Sequence, residues 1–423
     1  MSAPPPVTFG EAFRFWLKLG FVSFGGPAGQ IAIMHRELVE RMAWISERRF
    51  LHALNYCMVL PGPEAQQLAT YIGWLLHGVR GGIAAGALFV LPSLAILIAL
   101  SWIYVTYGTV PAVAAVLYGV KPAVVAIVLA AAWRIGTRAL RHPLLWGIAV
   151  AAFVALFAFD APFPLVILAA AAVGMVARRW VPRAFAASTH GADGKPHGPA
   201  VIDDDSPTPA HARYSPSRLA ITVVVFLAIW AAVLAALAGA WGWESAYARM
   251  AWFFTQAALL TFGGAYAVLP FVVQGAVETY GWLTAPQMID GLALGETTPG
   301  PLIMIVAFVG YLGAGTMGAI VATFFTFLPS FLFILAGAPF IERTRDDVKL
   351  TAPLTAITAA VVGVIVNLAV FFAWHVFRPA DYAAMAIAAV ALVALVWRRV
   401  GVIPVILASG LTGLALRALQ GAL

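Results

Sequence analysis

The chain carries one cysteine, Cys57, among 423 residues. That excludes an internal disulfide and any multi-thiolate metal cluster within it. Charge is nearly as scarce: Asp, Glu, Lys and Arg make up 10% of the chain, whereas soluble proteins carry about 25% to cover a water-facing surface. Lysine occurs only at Lys18, Lys121, Lys195 and Lys349. There is no Walker A sequence, which argues against direct use of ATP, and no His-Glu-x-x-His or comparable nucleophile signature. The opening Met1-Ser-Ala-Pro-Pro-Pro lacks the basic-then-apolar layout of a cleaved signal peptide, so insertion is expected to use a segment kept in the mature chain. What is abundant is apolar: 62% of residues are hydrophobic and mean hydropathy is +0.93. Lipid must therefore be the solvent, and the chain reads as a polytopic membrane protein. Its net charge of +7 is read as retention of Lys and Arg in cytoplasmic loops rather than as a nucleic-acid surface; an anionic substrate also suits it.

Runs long enough to cross about 30 Å of hydrocarbon fall near 8–25, 81–107, 110–137, 143–159 and 162–179, then 219–240, 248–264, 315–341, 352–377, 380–397 and 402–420. Two further apolar stretches, 47–78 and 285–313, are interrupted by Pro-Gly-Pro. Counting each as one discontinuous crossing gives about 13 in all. The segment 181–218 is the one clear linker, with six prolines and the run Asp203-Asp204-Asp205, and its composition predicts a loosely held connector. His190, His197 and His211 lie in it, and scattered histidines in a polar linker are read as solvated rather than as a metal site.

The linker separates two copies of one pattern. Phe24-Gly25-Gly26-Pro27, Trp44-Ile45, Pro61-Gly62-Pro63, Gly73, Gly78, Gly81 and Pro92-Ser93 recur as Phe262-Gly263-Gly264, Trp282-Leu283, Pro299-Gly300-Pro301, Gly310, Gly315, Gly318 and Pro329-Ser330. The offset is 238 through the Pro-Gly-Pro and 237 beyond it. So many rare residues in register mark an internal duplication. Arginines cluster at 134–141 and 178–183 in the first half but at 343–349 and 398–399 in the second, loops that alternate in parity. The copies therefore have opposite orientation, with N-terminus cytoplasmic and C-terminus outside. One loop conflicts: Arg36, Arg41, Arg48 and Arg49 would face outside unless 36–49 folds back or the count is wrong. The expected fold is an all-α polytopic membrane protein: a first repeat over 8–180, the linker, a linking helix over 219–240, and an inverted repeat over 248–420, each repeat with about six crossings and discontinuous helices.

Glycine and proline at mid-membrane leave backbone groups unpaired, which is tolerated only where protein encloses a cavity. A half-helix beginning there aims N–H groups and a positive dipole end at the cavity and favours an anion. Gly25, Gly26, Gly62, Gly263, Gly264 and Gly300 supply such breaks, two per copy. Close helix packing at glycine is the plain alternative, and recurrence in both copies argues for a site. Polar residues inside apolar segments are costly and usually functional. Near the first breaks these are His35, Arg36, Asn55, Glu64, Gln66 and Gln67, with Glu37 beside them; Glu296 is their chief counterpart in the second copy. Arg36 and His35 are expected to supply the site's cations, while Glu64 and Glu296 are candidate proton carriers unless one pairs with an arginine. Lys121 and Asn367 stand alone in apolar crossings, Lys121 either snorkelling to an interface or meeting an anion.

These motifs, namely Phe24-Gly-Gly-Pro-Ala-Gly-Gln30 with His35-Arg36, Pro61-Gly-Pro-Glu-Ala-Gln-Gln-Leu-Ala-Thr-Tyr-Ile-Gly73, Phe89-Val-Leu-Pro-Ser93, Thr261-Phe-Gly-Gly264, Glu296-Thr-Thr-Pro-Gly-Pro301 and Leu328-Pro-Ser330, resemble the chromate ion transporter family over nearly the whole chain outside 181–218. The duplicated form is similar to its long-chain branch. The resemblance implies a secondary transporter in a bacterial inner membrane that exports chromate, confers resistance to it, and meets competition from sulfate, the isosteric dianion. No cofactor, metal or nucleic-acid partner is expected; membrane lipid surrounds the protein, and a homodimer is one assembly left open. A sulfate or broader oxyanion carrier is the alternative within transport. An intramembrane enzyme using His35, Glu37 and Glu64 is the rival from another class, and duplication with inversion suits a two-sided pathway better.

Overall fold

The computed structural model describes residues 5–181, 184, 200–204, 206, 207, 209–343 and 351–421. Among them the regular structure is helical, apart from one isolated parallel bridge between Ile45 and Ile202. The first copy runs α1 (Phe9–Val22), α2 (Gly26–His35), a π-helical turn (Arg36–Arg41), α3 (Glu47–Val59), α4 (Glu64–Tyr107), α5 (Pro111–Ala139), α6 (Pro143–Phe159) and α7 (Phe163–Ala177). After α8 (Pro216–Trp241) come α9 (Ala246–Leu259), α10 (Ala265–Val273), a second π turn (Gln274–Thr279), α11 (Ala285–Thr297), a short 3₁₀ turn (Leu302–Met304) leading into α12 (Ile305–Arg343), α13 (Thr351–Val376), α14 (Tyr382–Val396) and α15 (Val402–Leu419). Element types recur in the same order, down to the two π turns at an offset of 238. Helix starts recur as well: Ser46 caps α3 by accepting from the Arg49 N–H, and Thr284 caps α11 in a capping box with Gln287.

The expectation of an all-α polytopic protein holds, but the crossings are redistributed. Helices α1, α2, α3, α9, α10 and α11 have 9 to 14 residues, about 21 Å at most, too short for about 30 Å of hydrocarbon. Helix α4 bends sharply at His77-Gly78, with Gly78 at φ +64°, and α12 bends at the equivalent Ala314-Gly315. Each bend folds the first limb back on the second: Gly73 packs on Gly81 and Ala85, and Gly310 on Gly318 and Ala319. The first limb of α4 also runs antiparallel to α3, with the Tyr56 and Tyr71 rings 6.0 Å apart. In the second copy Gly291 faces Phe308 and Gly295 faces Ile305. Each Pro-Gly-Pro is therefore the apex of a re-entrant hairpin that returns to the side it entered. The Gly-Gly motifs form the apices of two more: α1 runs alongside the second limb of α4, from Phe9 beside His77 to Gly20 beside Leu88 and Pro92. The tryptophan that follows α2 then returns to Phe15 at 5.2 Å, matched by Phe253 and Trp282 at 5.6 Å.

Six helical segments are long and apolar enough to span, and α6, α7 and α14 are shorter apolar helices. Among the described residues, four half-depth hairpins take the place of the expected crossings at 8–25, 47–78, 248–264 and 285–313. This removes the conflict over 36–49. Both ends of each first-copy hairpin lie on one face, so Arg36, Arg41, Arg48 and Arg49 share it with Arg134, Arg178 and Arg398, which positive-inside reasoning makes cytoplasmic.

Helices α4 and α12 run antiparallel through the centre, with Gly82 against Leu335 and Gly86 against Phe331. Equivalent helices meeting antiparallel place the copies in opposite orientation. Helix α5 packs against α13, α14 and α15, and α13 packs against α5, α6 and α7, so each copy embeds its fifth helix in the other. Close approach of α5 and α15 is permitted by Gly119 meeting Ser409 and Gly413. Helix α8 is peripheral; it packs on α9 and α12, buries Leu234 and Leu237, and leaves Ile221, Val224 and Leu227 exposed where lipid would meet them.

The described residues of the linker between 200 and 212 are docked rather than loosely held, on the face that carries Trp44 and Arg49. Ile202 N–H donates to the Trp44 carbonyl at 3.0 Å and Ser46 N–H to the Ile202 carbonyl at 3.0 Å. Ser46 Oγ donates to Asp204 at 2.6 Å, and His211 bonds the Trp74 carbonyl at 2.9 Å. Ile202 and Ala212 are buried. Two apolar side chains and several main-chain bonds were enough to seat a segment whose composition alone reads as solvated. His190 and His197 lie outside the described residues, and among the described residues no metal-ligating cluster forms.

Candidate functional site

The four hairpin apices meet at the middle of the bundle and are tied together reciprocally. Gly62 N–H donates to the Thr261 carbonyl at 2.7 Å, and Gly300 N–H donates to the Ser23 carbonyl at 2.8 Å. Ser23 and Thr261 are equivalent positions, each one residue before a Phe-Gly-Gly. Thus the Pro-Gly-Pro apex of each copy docks on the Gly-Gly apex of the other through the same bond. All six expected break glycines have positive φ, from +68° at Gly26 to +128° at Gly62. At Gly62 and Gly300 this is combined with close approach: a Cβ would lie 2.5 Å from Ser330 Oγ in the first case and 2.8 Å from Ser93 Cβ in the second.

Four half-helices begin at these apices, capped by Gly25, Pro63, Gly264 and Pro301, none with a side-chain cap bond. Their first N–H groups and positive dipole ends therefore converge at half-depth, the arrangement that favours an anion. Around them are polar side chains removed from lipid. Gln30 Nε2 donates to the Gly300 carbonyl at 2.5 Å and to the Ser23 carbonyl at 3.3 Å. Gln67 Nε2 donates to the Pro61 carbonyl at 2.8 Å, and Gln66 Nε2 to Thr70 at 3.1 Å. The oxygens of all three amides, one oxygen of Glu64, and the Ser93 and Ser330 hydroxyls are buried without a partner. Glu64 opens α4 and faces the other copy, where a Cβ on Gly264 would lie 3.7 Å from its Oε1. Glu296 accepts a short hydrogen bond from the Tyr266 hydroxyl. Thr358 approaches Gly263.

The structure thus brings Gly25, Gly26, Gly62, Glu64, Gln66, Gln67, Gly263, Gly264, Glu296 and Gly300 to the apices, and leaves the other expected residues elsewhere. His35 sits away from the apices, between Glu47 at 2.6 Å and Glu40 at 3.1 Å. Arg36 is 65% exposed beside Glu37 at 3.8 Å. Neither is a cation of the apices. Asn55 is exposed on α3. Lys121 does have a charged neighbour: Asp290 of α11, 3.4 Å away and 2% exposed, which also accepts from the Tyr104 hydroxyl at 2.9 Å. Asn367 lines a separate small cavity with Asp160, Gln274 and Glu278.

Residues the sequence reading passed over are Ser23, Gln30, Ser93, Thr261, Ser330 and Tyr266. The signal for four of them was present. Ser23 and Thr261 share a register position, as do Ser93 and Ser330, so small hydroxyl residues recur beside the breaks in both copies.

Comparison with known proteins fits this duplicated geometry. The family described as chromate transporter matches twice, over residues 10–175 and 248–414, one match per copy. The chain belongs to the chromate transporter family. Among its relatives, a chromate transport protein of Pseudomonas aeruginosa is 35% identical over 422 residues, covering 97% of this chain and 93% of the relative. A chromate transport protein of Cupriavidus metallidurans is 29% identical over 396 residues, covering 92% and 88%. A probable chromate transport protein of Synechococcus elongatus is 29% identical over 362 residues, covering 85% and 84%. No solved structure matches the chain. As a member of this family the chain is a multi-pass membrane protein.

Proposed function

We propose that the chain is a secondary transporter of the plasma membrane that exports chromate, with the oxyanion bound among the four apices and exposed to each side in turn. The observation that carries this reading is the reciprocal joint at half-depth, where four half-helix N-termini converge between oppositely oriented copies. Inverted repeats around discontinuous helices are the recurrent architecture of carriers that alternate access by moving one repeat against the other. The names of the relatives supply the substrate. Charge supplies the direction: an inside-negative potential favours expulsion of a dianion by about 4.6 kcal/mol per 100 mV, about 2,000-fold in ratio. Proton coupling through Glu64 and Glu296 is an optional addition to this reading, supported by Glu64 lying against Gly264 and Glu296 preceding the Pro-Gly-Pro apex. Sulfate has the same shape and charge and is expected to compete.

Everted membrane vesicles test this directly. Under an imposed interior-positive potential, vesicles holding the protein should accumulate chromate, and sulfate should reduce that uptake. Absence of uptake at every potential and pH gradient tried would end this reading. A potential-independent uptake abolished by Glu64→Gln would instead make protons the driving ion.

A further inference from the structure

Buried hydroxyls in membrane helices ordinarily bond back to the carbonyl one turn earlier. Ser23 does so to Leu19 at 2.6 Å, Thr261 to Ala257 at 2.6 Å, Thr70 to Gln66 at 2.9 Å and Thr326 to Ala322 at 2.7 Å. Ser93 and Ser330 do not. Both are at most 1% exposed and neither hydroxyl has a partner. They occupy the same register position, each directly after a proline inside the long helix of its copy. Each also faces the Pro-Gly-Pro apex of the opposite copy, Ser93 against Gly300 and Ser330 against Gly62, where a half-helix of that copy begins. Ser101 and Thr323 are unpartnered too, but their register equivalents are Ala338 and Gly86, so neither recurs.

We propose that the Ser93 and Ser330 hydroxyls are a symmetry-related pair of hydrogen-bond donors to the transported tetrahedral oxyanion. This rests on the reading of the chain as an oxyanion carrier and names specificity residues for it. Three features support the assignment. A chromate or sulfate dianion carries no proton and can only accept hydrogen bonds, so its site must be built of donors. Each serine adds an O–H to the N–H groups of a half-helix start, and the two donor sets lie on opposite copies. In the conformation described, each hydroxyl is closed behind the facing apex. Withdrawal of one hairpin uncovers one serine to one side of the membrane, and withdrawal of its equivalent uncovers the other. An unpartnered buried hydroxyl weakens the fold that contains it; binding a substrate is what such a group can do in return.

The test uses purified full-length protein and separates binding from folding. Dissociation constants for chromate, sulfate and molybdate would be measured on the wild type, Ser93→Ala, Ser330→Ala and Ser93→Cys, with the melting temperature of each ligand-free protein read alongside. The expected result is that each alanine variant binds the preferred oxyanion 10- to 100-fold more weakly, the loss of one hydrogen bond to a charged group, while its ligand-free melting temperature stays level or rises. Ser93→Cys, keeping size but donating weakly, should fall between. Unchanged affinity in both alanine variants overturns the proposal, and so does a lowered ligand-free melting temperature, which would show that the hydroxyls serve packing. A wild type that binds no tetrahedral oxyanion overturns it as well. Serine-dependent binding of sulfate or molybdate without chromate would refute the chromate reading and leave the hydroxyl pair standing.

Discussion

Replacing Glu342 by Gln removes one charge from an ion pair that joins the two copies under the docked linker. Arg49 Nη2 lies 2.5 Å from Glu342 Oε2, and the side chains are 7% and 3% exposed. Tyr71 donates to the other carboxylate oxygen at 2.6 Å. Arg49 also donates to the Asp203 carbonyl at 3.2 Å and to Ser206 at 3.3 Å. Unit charges at about 4 Å attract by about 4 kcal/mol at an effective dielectric of 20, and stranding one partner of a buried pair typically destabilises by about 3–5 kcal/mol. Glutamine keeps one acceptor oxygen for Arg49 while its amide NH2 can donate to the Tyr71 oxygen, so the expected loss is about 3 kcal/mol, near the lower end of that range. Arg49→Met should lose a similar amount, and the double variant less than the sum, leaving a coupling energy of about 2–3 kcal/mol. Unfolding in mixed detergent micelles, followed by tryptophan fluorescence, measures all three. Strict additivity, or a Glu342→Gln loss below about 1 kcal/mol, would refute a buried pair at this contact and with it the placement of α3 against the end of α12.

Cysteines introduced at Met42 and Arg80 of a Cys57→Ala background should both react with an impermeant reagent from the cytoplasmic side only; labelling from opposite sides would restore 47–78 as a crossing. Gly62→Ala and Gly300→Ala should each destabilise by at least about 2 kcal/mol, because a left-handed backbone penalises alanine and the new Cβ meets Ser330 or Ser93. Abundance should therefore fall with transport, and full abundance with loss of transport alone would mean that the apices relax around a side chain. Arg36→Ala, exposed at the rim, should leave vesicle uptake within about twofold of wild type, since surface charge changes have small effects; abolished uptake would return Arg36 to the substrate path.

Much of the centre was legible because few residues can build it. Only glycine takes φ near +100° without strain, so the breaks could be placed from glycine alone, and duplication confirmed them. What hydropathy does not encode is direction. An apolar run of 14 residues followed by a break reads the same whether the next helix continues or turns back; the return of α3 into α4 depends on Tyr56 meeting Tyr71 and on Gly73 folding onto Gly81. Charge failed for a related reason. Arg36 lies nearer in sequence to the breaks than Arg49, yet Arg49 is the buried one, and its partner is 293 positions away. Lys121 looked solitary because Asp290 comes from the other copy.

The bonds from Gly62 to Thr261 and from Gly300 to Ser23 have a consequence for how the two halves can drift apart. Donor and acceptor are main-chain atoms, so the coupling is indifferent to what the surrounding side chains become. Gln30 in one half stands where Val268 stands in the other, and Glu296 where Met58 does, while the bonds differ in length by only 0.1 Å. A joint held this way lets the side chains of each half change while the two docking bonds stay equivalent.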